Sequence, residues 1–216
     1  MRIRSFIIAY ALLLAILLFA DRRPNPAEQN RYSHIVDLTV SENAAEKRLP
    51  SLSRTQIIAP DALIPGTWTA GQIPPERLIA PLVVMDLNVA PPAQISLDDV
   101  ANWETEHGAI PQGAVVAIRN NGGESAKASA ATFPITEDAA QFLMDARYTL
   151  GFAVESAADV KANRTLARQL ALHGNYVVEK TGRLSSIPAT GSLIIVAPAK
   201  EKSTRTAPVR VLAMVR

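Results

Sequence analysis

Three histidines and no cysteine are all the nitrogen and sulfur donors of metal-binding type that this 216-residue chain contains. His34 opens a β-branched run, while His107 and His173 each stand directly before a glycine at the end of an amphipathic stretch. An imidazole in the last turn of a helix complements the dipole and the unpaired carbonyls there. His107 and His173 are therefore expected to be structural, and His34 a partly buried strand residue. Without cysteine, disulfides, thiolate metal centres and Cys nucleophiles are excluded. No Gly-x-Ser-x-Gly elbow, phosphate-cradling glycine loop, dinucleotide fingerprint or His-Glu-x-x-His pair occurs, and no Ser–His arrangement is evident. Glu179 lies inside the apolar run Tyr176-Val-Val-Glu179. A carboxylate in such a strand costs several kcal/mol if charged and unpaired, so a basic partner is expected beside it. Asp61 reads as an exposed loop acid, and Trp68 and Trp103 as packing residues.

The elements that must position these groups alternate between two periods. Strands are expected at 33–39, 54–60, 82–87, 114–118, 151–155, 176–179, 192–198 and 208–215, from β-branched or continuous apolar runs. Helices are expected from Ser96, which can cap with Asp98 and Asp99 in the first turn, to His107-Gly108. Two more are expected over Thr136 to Arg147 and Ala157 to Leu172. In the first of these Ala139, Phe142, Leu143 and Ala146 form the inward stripe. Pro74 to Leu78 is expected to be a short helical turn, and Asn120 to Ser125 a loop. Strands alternating with helices make a layered mixed α/β domain, with no internal repeat and no second domain.

One stretch carries more than its composition. Arg54-Thr-Gln-Ile-Ile-Ala-Pro-Asp-Ala-Leu63 leads on to Trp68-Thr-Ala-Gly-Gln-Ile-Pro-Pro-Glu-Arg-Leu-Ile-Ala-Pro-Leu-Val-Val-Met-Asp86. It resembles the metal-dependent cyclase family, which includes bacterial kynurenine formamidases (arylformamidases) and isatin hydrolases. That family has the signature His-x-Gly-Thr-His-x-Asp-x-Pro-x-His, then a Pro-Glu-Arg-Leu segment and a buried strand ending in Val-x-Asp. Further likenesses follow in order at Trp103-Glu-Thr-Glu-His-Gly, Phe133-Pro134, Gly151-Phe-Ala-Val-Glu-Ser, Tyr176-Val-Val-Glu-Lys and the closing pair of strands. The resemblance implies a swivelling β/β/α fold over residues 33–216 and assembly into oligomers. It also implies a divalent metal, zinc or manganese, activating water against an amide or lactam carbonyl.

The signature itself has changed. The three histidine positions fall on Leu52, Gln56 and Ala62, the aspartate on Ile58 and the glycine on Arg54, while Thr55 and Pro60 survive. A further family histidine falls on Ala167, or on Asn163 if a gap is admitted. Only Glu179 keeps a ligand-type side chain at its family position. Leu, Ile and Ala have no lone pairs, and a glutamine oxygen is a weak neutral ligand. A transition metal needs three or four suitable protein ligands. The expectation is therefore a protein without cofactor, its former site lined by Leu52, Gln56, Ile58 and Ala62. It would act as a binding or non-catalytic oligomer module, with a small aromatic ligand as one possible occupant. The rival is an active hydrolase of an N-formylkynurenine- or isatin-type aryl formamide or lactam, using zinc or manganese on relocated ligands. Asp61, Asn163 and Glu179 are the candidates, since hard cations accept oxygen ligands. A homo-oligomer and pairing with an active homologue are both expected partners.

The rest bounds the setting. The formal charge is +2, and Arg2 and Arg4 account for the whole excess over the 20 acidic residues. A neutral body offers no electrostatic footprint for nucleic acid. Met1-Arg-Ile-Arg4 precedes an almost wholly apolar run, Ser5 to Ala20. A helix of that length spans about 24 Å, short of a ~30 Å hydrocarbon core, so residues 1–20 fit a signal peptide or a short membrane anchor. Residues 21–32, polar with two prolines, read as a linker. The expected placement is inner-membrane anchored with the domain outside the cytoplasm, or secreted or periplasmic.

Overall fold

The computed structural model describes residues 32–40, 54–87, 94–120, 132–157 and 159–216. The hydrophobic run at 5–20, Leu52 and most of the loop expected at 120–125 lie outside them. Among the described residues no helix is long and apolar enough to cross a membrane.

Strands β1 (His34–Asp37), β2 (Gln56–Ile58), β3 (Ile79–Leu87), β4 (Val115–Asn120), β5 (Gly151–Val154), β6 (Tyr176–Glu179), β7 (Ser192–Pro198) and β8 (Thr206–Val215) form one sheet. Its order is β1-β8-β2-β6-β5-β4-β3-β7, and β7 also pairs with β8. That last pairing closes the sheet, so the layered architecture read from the sequence is corrected to a seven-strand barrel inside a mixed α/β fold. β8 makes closure possible by its length. Thr206 to Pro208 pair with β2, Leu212 to Val215 pair with β1, and the opposite edge pairs with β7 from Val209 to Met214.

β3, β4, β5 and β6 run parallel and the others antiparallel. Alternation decides where each side chain goes. Ile57, Leu82, Val84, Ala117, Ala153 and Val178 fill the barrel, with Tyr176 the largest side chain among them. The alternate positions Val83, Met85, Ile118, Phe152 and Val177 face the helices.

Three helices cover that second face: α2 (Leu97–His107), α3 (Glu137–Arg147) and α4 (Arg164–Leu172), with a single turn, α1 (Pro60–Leu63), ahead of them. Ser96 and Asp99 make a reciprocal capping box at the start of α2, and Gly108 ends it at φ 86°. Trp103 is anchored by its indole N–H, which donates to the Val84 carbonyl at 3.0 Å. In α3 the buried residues are Ala139, Ala140, Leu143 and Met144, while Phe142 is half-buried under the Arg147 guanidinium. The helix expected from Ala157 is shorter: a 3-10 turn at Val160–Ala162, then α4. Asn163 separates them because its extended backbone lets its side chain cap α4, accepting from the Leu166 N–H at 3.1 Å. The strand expected over 54–60 stops at Ile58, since Pro60 starts α1 with its fixed φ at the first helical position.

Candidate functional site

β2 and β6 pair antiparallel with Gln56 opposite Glu179, Ile57 opposite Val178 and Ile58 opposite Val177. The pairing puts Gln56, Ile58, Val177 and Glu179 on the side that faces the helices. There the Gln56 amide N–H donates to Glu179 Oε2 at 2.8 Å, and Glu179 is 4% exposed. The carboxylate thus meets the Gln56 amide across the strand pair.

Apolar side chains share the helix-facing side of the strand pair. Ile58 is buried in the same cluster as Leu166, Leu170 and Val177, with Ala62 and Leu63 packed against it. Ala167, one of the two places for the further family histidine, is buried on α4. Asn163, the other, is committed to capping α4. It also lines a hollow of about 560 Å³ together with Gln94, Phe133, Asp159 and Arg164. Gln94 is fixed there by donating to the Phe133 and Ile135 carbonyls at 2.8 and 3.1 Å.

Asp61 is not the exposed acid expected. It is 6% exposed, accepts the Gly66 N–H at 2.7 Å through Oδ1, and pairs through Oδ2 with Arg205 at 2.5 Å. Those contacts tie the α1 turn to the loop before β8. Among the described residues no three histidine, aspartate or glutamate side chains come together as a metal-binding group. The structure therefore unites Gln56 with Glu179 and gives Asp61 and Asn163 other partners.

The histidines hold helix ends or the surface. His173 Nδ1 lies 2.8 Å from the Gln169 carbonyl and Nε2 lies 3.0 Å from Asp145, which joins α4 to α3. His107 packs edge-on against Trp103, with ring centres 4.8 Å apart. His34 is exposed, not partly buried. Trp103 is buried as expected, but Trp68 is 38% exposed and carries the Arg77 guanidinium 5.4 Å from its ring centre.

One half-buried ion pair was not foreseen. At the carboxyl ends of β3 and β4, Arg119 grips Asp86 through Nε and Nη2 at 2.5 and 2.7 Å. Arg119 Nη1 also donates to the Leu184 and Ile187 carbonyls at 3.1 and 3.4 Å. Hydrogen bonding to Asp86 raises the Arg119 pKa, so the guanidinium stays charged and pins the 184–187 turn to the barrel mouth. The sequence signal was two opposite charges, each at the end of an apolar strand, but only the parallel register of β3 and β4 makes them neighbours.

The Cyclase family model, described as "Putative cyclase", matches residues 29–158. Isatin hydrolase A from Labrenzia aggregata, solved with benzyl benzoate bound, superposes with a TM-score of 0.67 at 25% identity, over 96% of this chain and 99% of that one. Isatin hydrolase A from Ralstonia solanacearum gives a TM-score of 0.63 at 24% identity, covering 86% of this chain and 83% of its own. A potential metal-dependent hydrolase with cyclase activity gives 0.66 at 25% identity, over 85% and 98%. No curated protein matches the sequence. With more than half its length matched by one model, and the barrel and its helices in common with solved hydrolases of that kind, the chain belongs to the cyclase family.

Proposed function

We propose that this cyclase-family chain has lost the metal-activated water of its relatives and serves as a binding or subunit module. The observation that carries this is the Gln56–Glu179 hydrogen bond. The carboxylate that survives at a family ligand position is engaged by an amide N–H, and its neighbours Ile58 and Ala62 offer only hydrocarbon. One carboxylate beside one amide does not meet the three or four ligands a transition metal takes from a protein. The residues present do not fit a centre of the family type.

A hollow beside Asn163, lined by Gln94, Thr132, Phe133 and Arg164, is where such a module would take a small aromatic ligand. A solved relative with benzyl benzoate bound supports that class. The chain assembles as a homo-oligomer or with an active homologue, and residues 5–20 tether it to the membrane with the domain outside the cytoplasm, or are removed on export. Titration of zinc or manganese into the purified chain tests the reading. No saturable binding is expected, and one tight site per chain overturns it.

The rival reading, an active hydrolase of an aryl formamide or lactam, draws on the similarity to isatin hydrolases and on Glu179. It requires turnover of N-formylkynurenine or isatin that added manganese or zinc supports and a chelator abolishes. Rates equal to buffer with either metal dismiss it.

A further inference from the structure

Where β1 and β2 both meet β8, the wall of the barrel carries a hollow of about 330 Å³. Arg54, Pro208 and Arg210 line it with Thr39 and Thr55. Pro208 and Arg210 point outward, since the alternate residues Ala207, Val209 and Val211 fill the barrel. The two hydroxyls are already engaged. Thr55 donates to the Lys180 carbonyl at 2.6 Å, and Thr39 accepts the Val211 N–H at 2.9 Å. The hollow presents two guanidiniums besides, with Asp37 2.8 Å from that of Arg210. A guanidinium fork matches the oxygens of a phosphate.

The same side of the wall continues as an apolar stripe. After Arg210 the outward residues of β8 are Leu212 and Met214, and Arg216 follows in the same alternation. Register sets Ile195 and then Ile79 beside Leu212, and Ile35 and Leu193 on either side of Met214. Ile35 is 63% exposed and Ile79 57%. The helical layer takes no residue of β1, β7 or β8 into its core. Apolar side chains bounded by arginines suit a lipid interface, where the long cationic side chains reach headgroups while their neighbours enter the acyl boundary.

We propose that this face rests on an anionic phospholipid surface, with Arg54 and Arg210 taking a headgroup phosphate and Ile35, Ile79 and Met214 entering the interface. Two further observations favour lipid as the occupant. The first is chain length. The apolar run at 5–20 stands only the linker 21–32 ahead of β1. Extended, that linker reaches about 40 Å at most, and β1, where it enters the body, belongs to this face. A bilayer holding the run is thus kept within range of the stripe. The second is charge. The border carries Arg54, Arg210 and Arg216 beside the acid Asp37. A two-fold contact would set that surplus of one sign against its own image, whereas an anionic leaflet attracts it. The inference rests on the tether in the proposed function and adds which side of the body meets the bilayer.

Fluorescence quenching in vesicles is the test. Because the chain has no cysteine, Ile35→Cys, Ile79→Cys and Leu172→Cys each accept a single bimane label. Leu172, on α4, is 62% exposed and serves as the control. Each labelled full chain is reconstituted into phosphatidylcholine–phosphatidylglycerol vesicles with and without nitroxide-labelled lipid. The nitroxide should quench the labels at 35 and 79 and spare the one at 172. Arg54→Gln with Arg210→Gln should lower the docked-to-undocked ratio about tenfold or more, since each cation near an anionic surface contributes to binding. Omitting phosphatidylglycerol should act in the same direction without any substitution. A chain that floats with the vesicles while the labels at 35 and 79 stay unquenched overturns the docking and leaves the tether standing. A chain that does not float removes both. Quenching equal at all three positions, or indifferent both to the arginine pair and to phosphatidylglycerol, also overturns the proposal. So does an Ile35→Cys chain that escapes quenching and forms a disulfide-linked dimer, since the face would then belong to a second copy.

Discussion

Gln56 and Glu179 are register partners on β2 and β6, and the amide of one donates to the carboxylate of the other at 2.8 Å. The contact lies where the family signature expects a histidine and a glutamate to share an ion. The Gln56 side chain is a neutral amide, and its N–H satisfies one oxygen of the carboxylate by hydrogen bonding.

Breaking that bond should be felt in stability. Gln56→Leu removes the donor and leaves Glu179 buried beside it, a loss of about 1–3 kcal/mol in denaturant unfolding. Replacing both residues by leucine should recover part of that loss, because no buried carboxylate is left. A single variant as stable as the wild type would contradict this account of the pair.

Rebuilding the signature gives a gain-of-function test. The variant carrying Leu52→His, Gln56→His, Ile58→Asp and Ala62→His should be less stable than the wild type without metal, since Ile58 lies in the helix-facing core. Zinc should raise its melting temperature and leave that of the wild type unmoved, because a ligand that binds only the folded state stabilises it by mass action. Equal responses of the two chains would show that those positions do not decide metal binding.

Glu104 offers a pH test of the helical layer. Its carboxylate accepts from Arg147 Nε and Nη2, both at 2.7 Å, and from the Ile110 N–H at 2.9 Å. Hydrogen bonding from Arg147 is the main cause of its lowered pKa. A group with a depressed folded pKa contributes stability above its unfolded value, and that contribution fades as pH falls through the folded value. Glu104→Gln should therefore be about 1–2 kcal/mol less stable than wild type at neutral pH. The gap should narrow below about pH 4.3, the ordinary glutamate range. A gap that stays constant on acidification would rule the linkage out.

Gly151 tests the seam between β5 and β6. A Cβ there would lie 2.6 Å from the Tyr176 carbonyl oxygen and 2.8 Å from its ring. Tyr176 has little room to yield, being fully buried with its hydroxyl donating to the Arg77 carbonyl at 2.9 Å. Gly151→Ala should cost about 1–3 kcal/mol by overpacking, and a neutral substitution would mean that the seam is looser than described.

Much of this was legible in the sequence because local chemistry fixed it. The capping box at Ser96, the glycine stops after His107 and His173, and the apolar run of β3 all announce elements by residue type and spacing. The family emerged from Pro74 to Asp86 together with short matches in order. Barrel closure was not legible, since it depends on β8 serving β1, β2 and β7 at once, a long-range pairing that alternation along one strand cannot reveal. Asp86 and Arg119, 33 residues apart, meet only through parallel register. Asp61 looked like a surface acid because Arg205, its partner, lies 144 residues downstream. At the positions matched to the family signature the sequence supplied the residue types, and the structure supplied the contact between Gln56 and Glu179.

Metal content measures most directly what this scaffold can hold. The full chain, produced in medium supplemented with zinc and manganese and then desalted, should carry well under about 0.1 equivalents of either metal by elemental analysis, against about one for a chain that holds a tightly bound ion. Close to one equivalent per chain, lost on Glu179→Gln, would contradict the account.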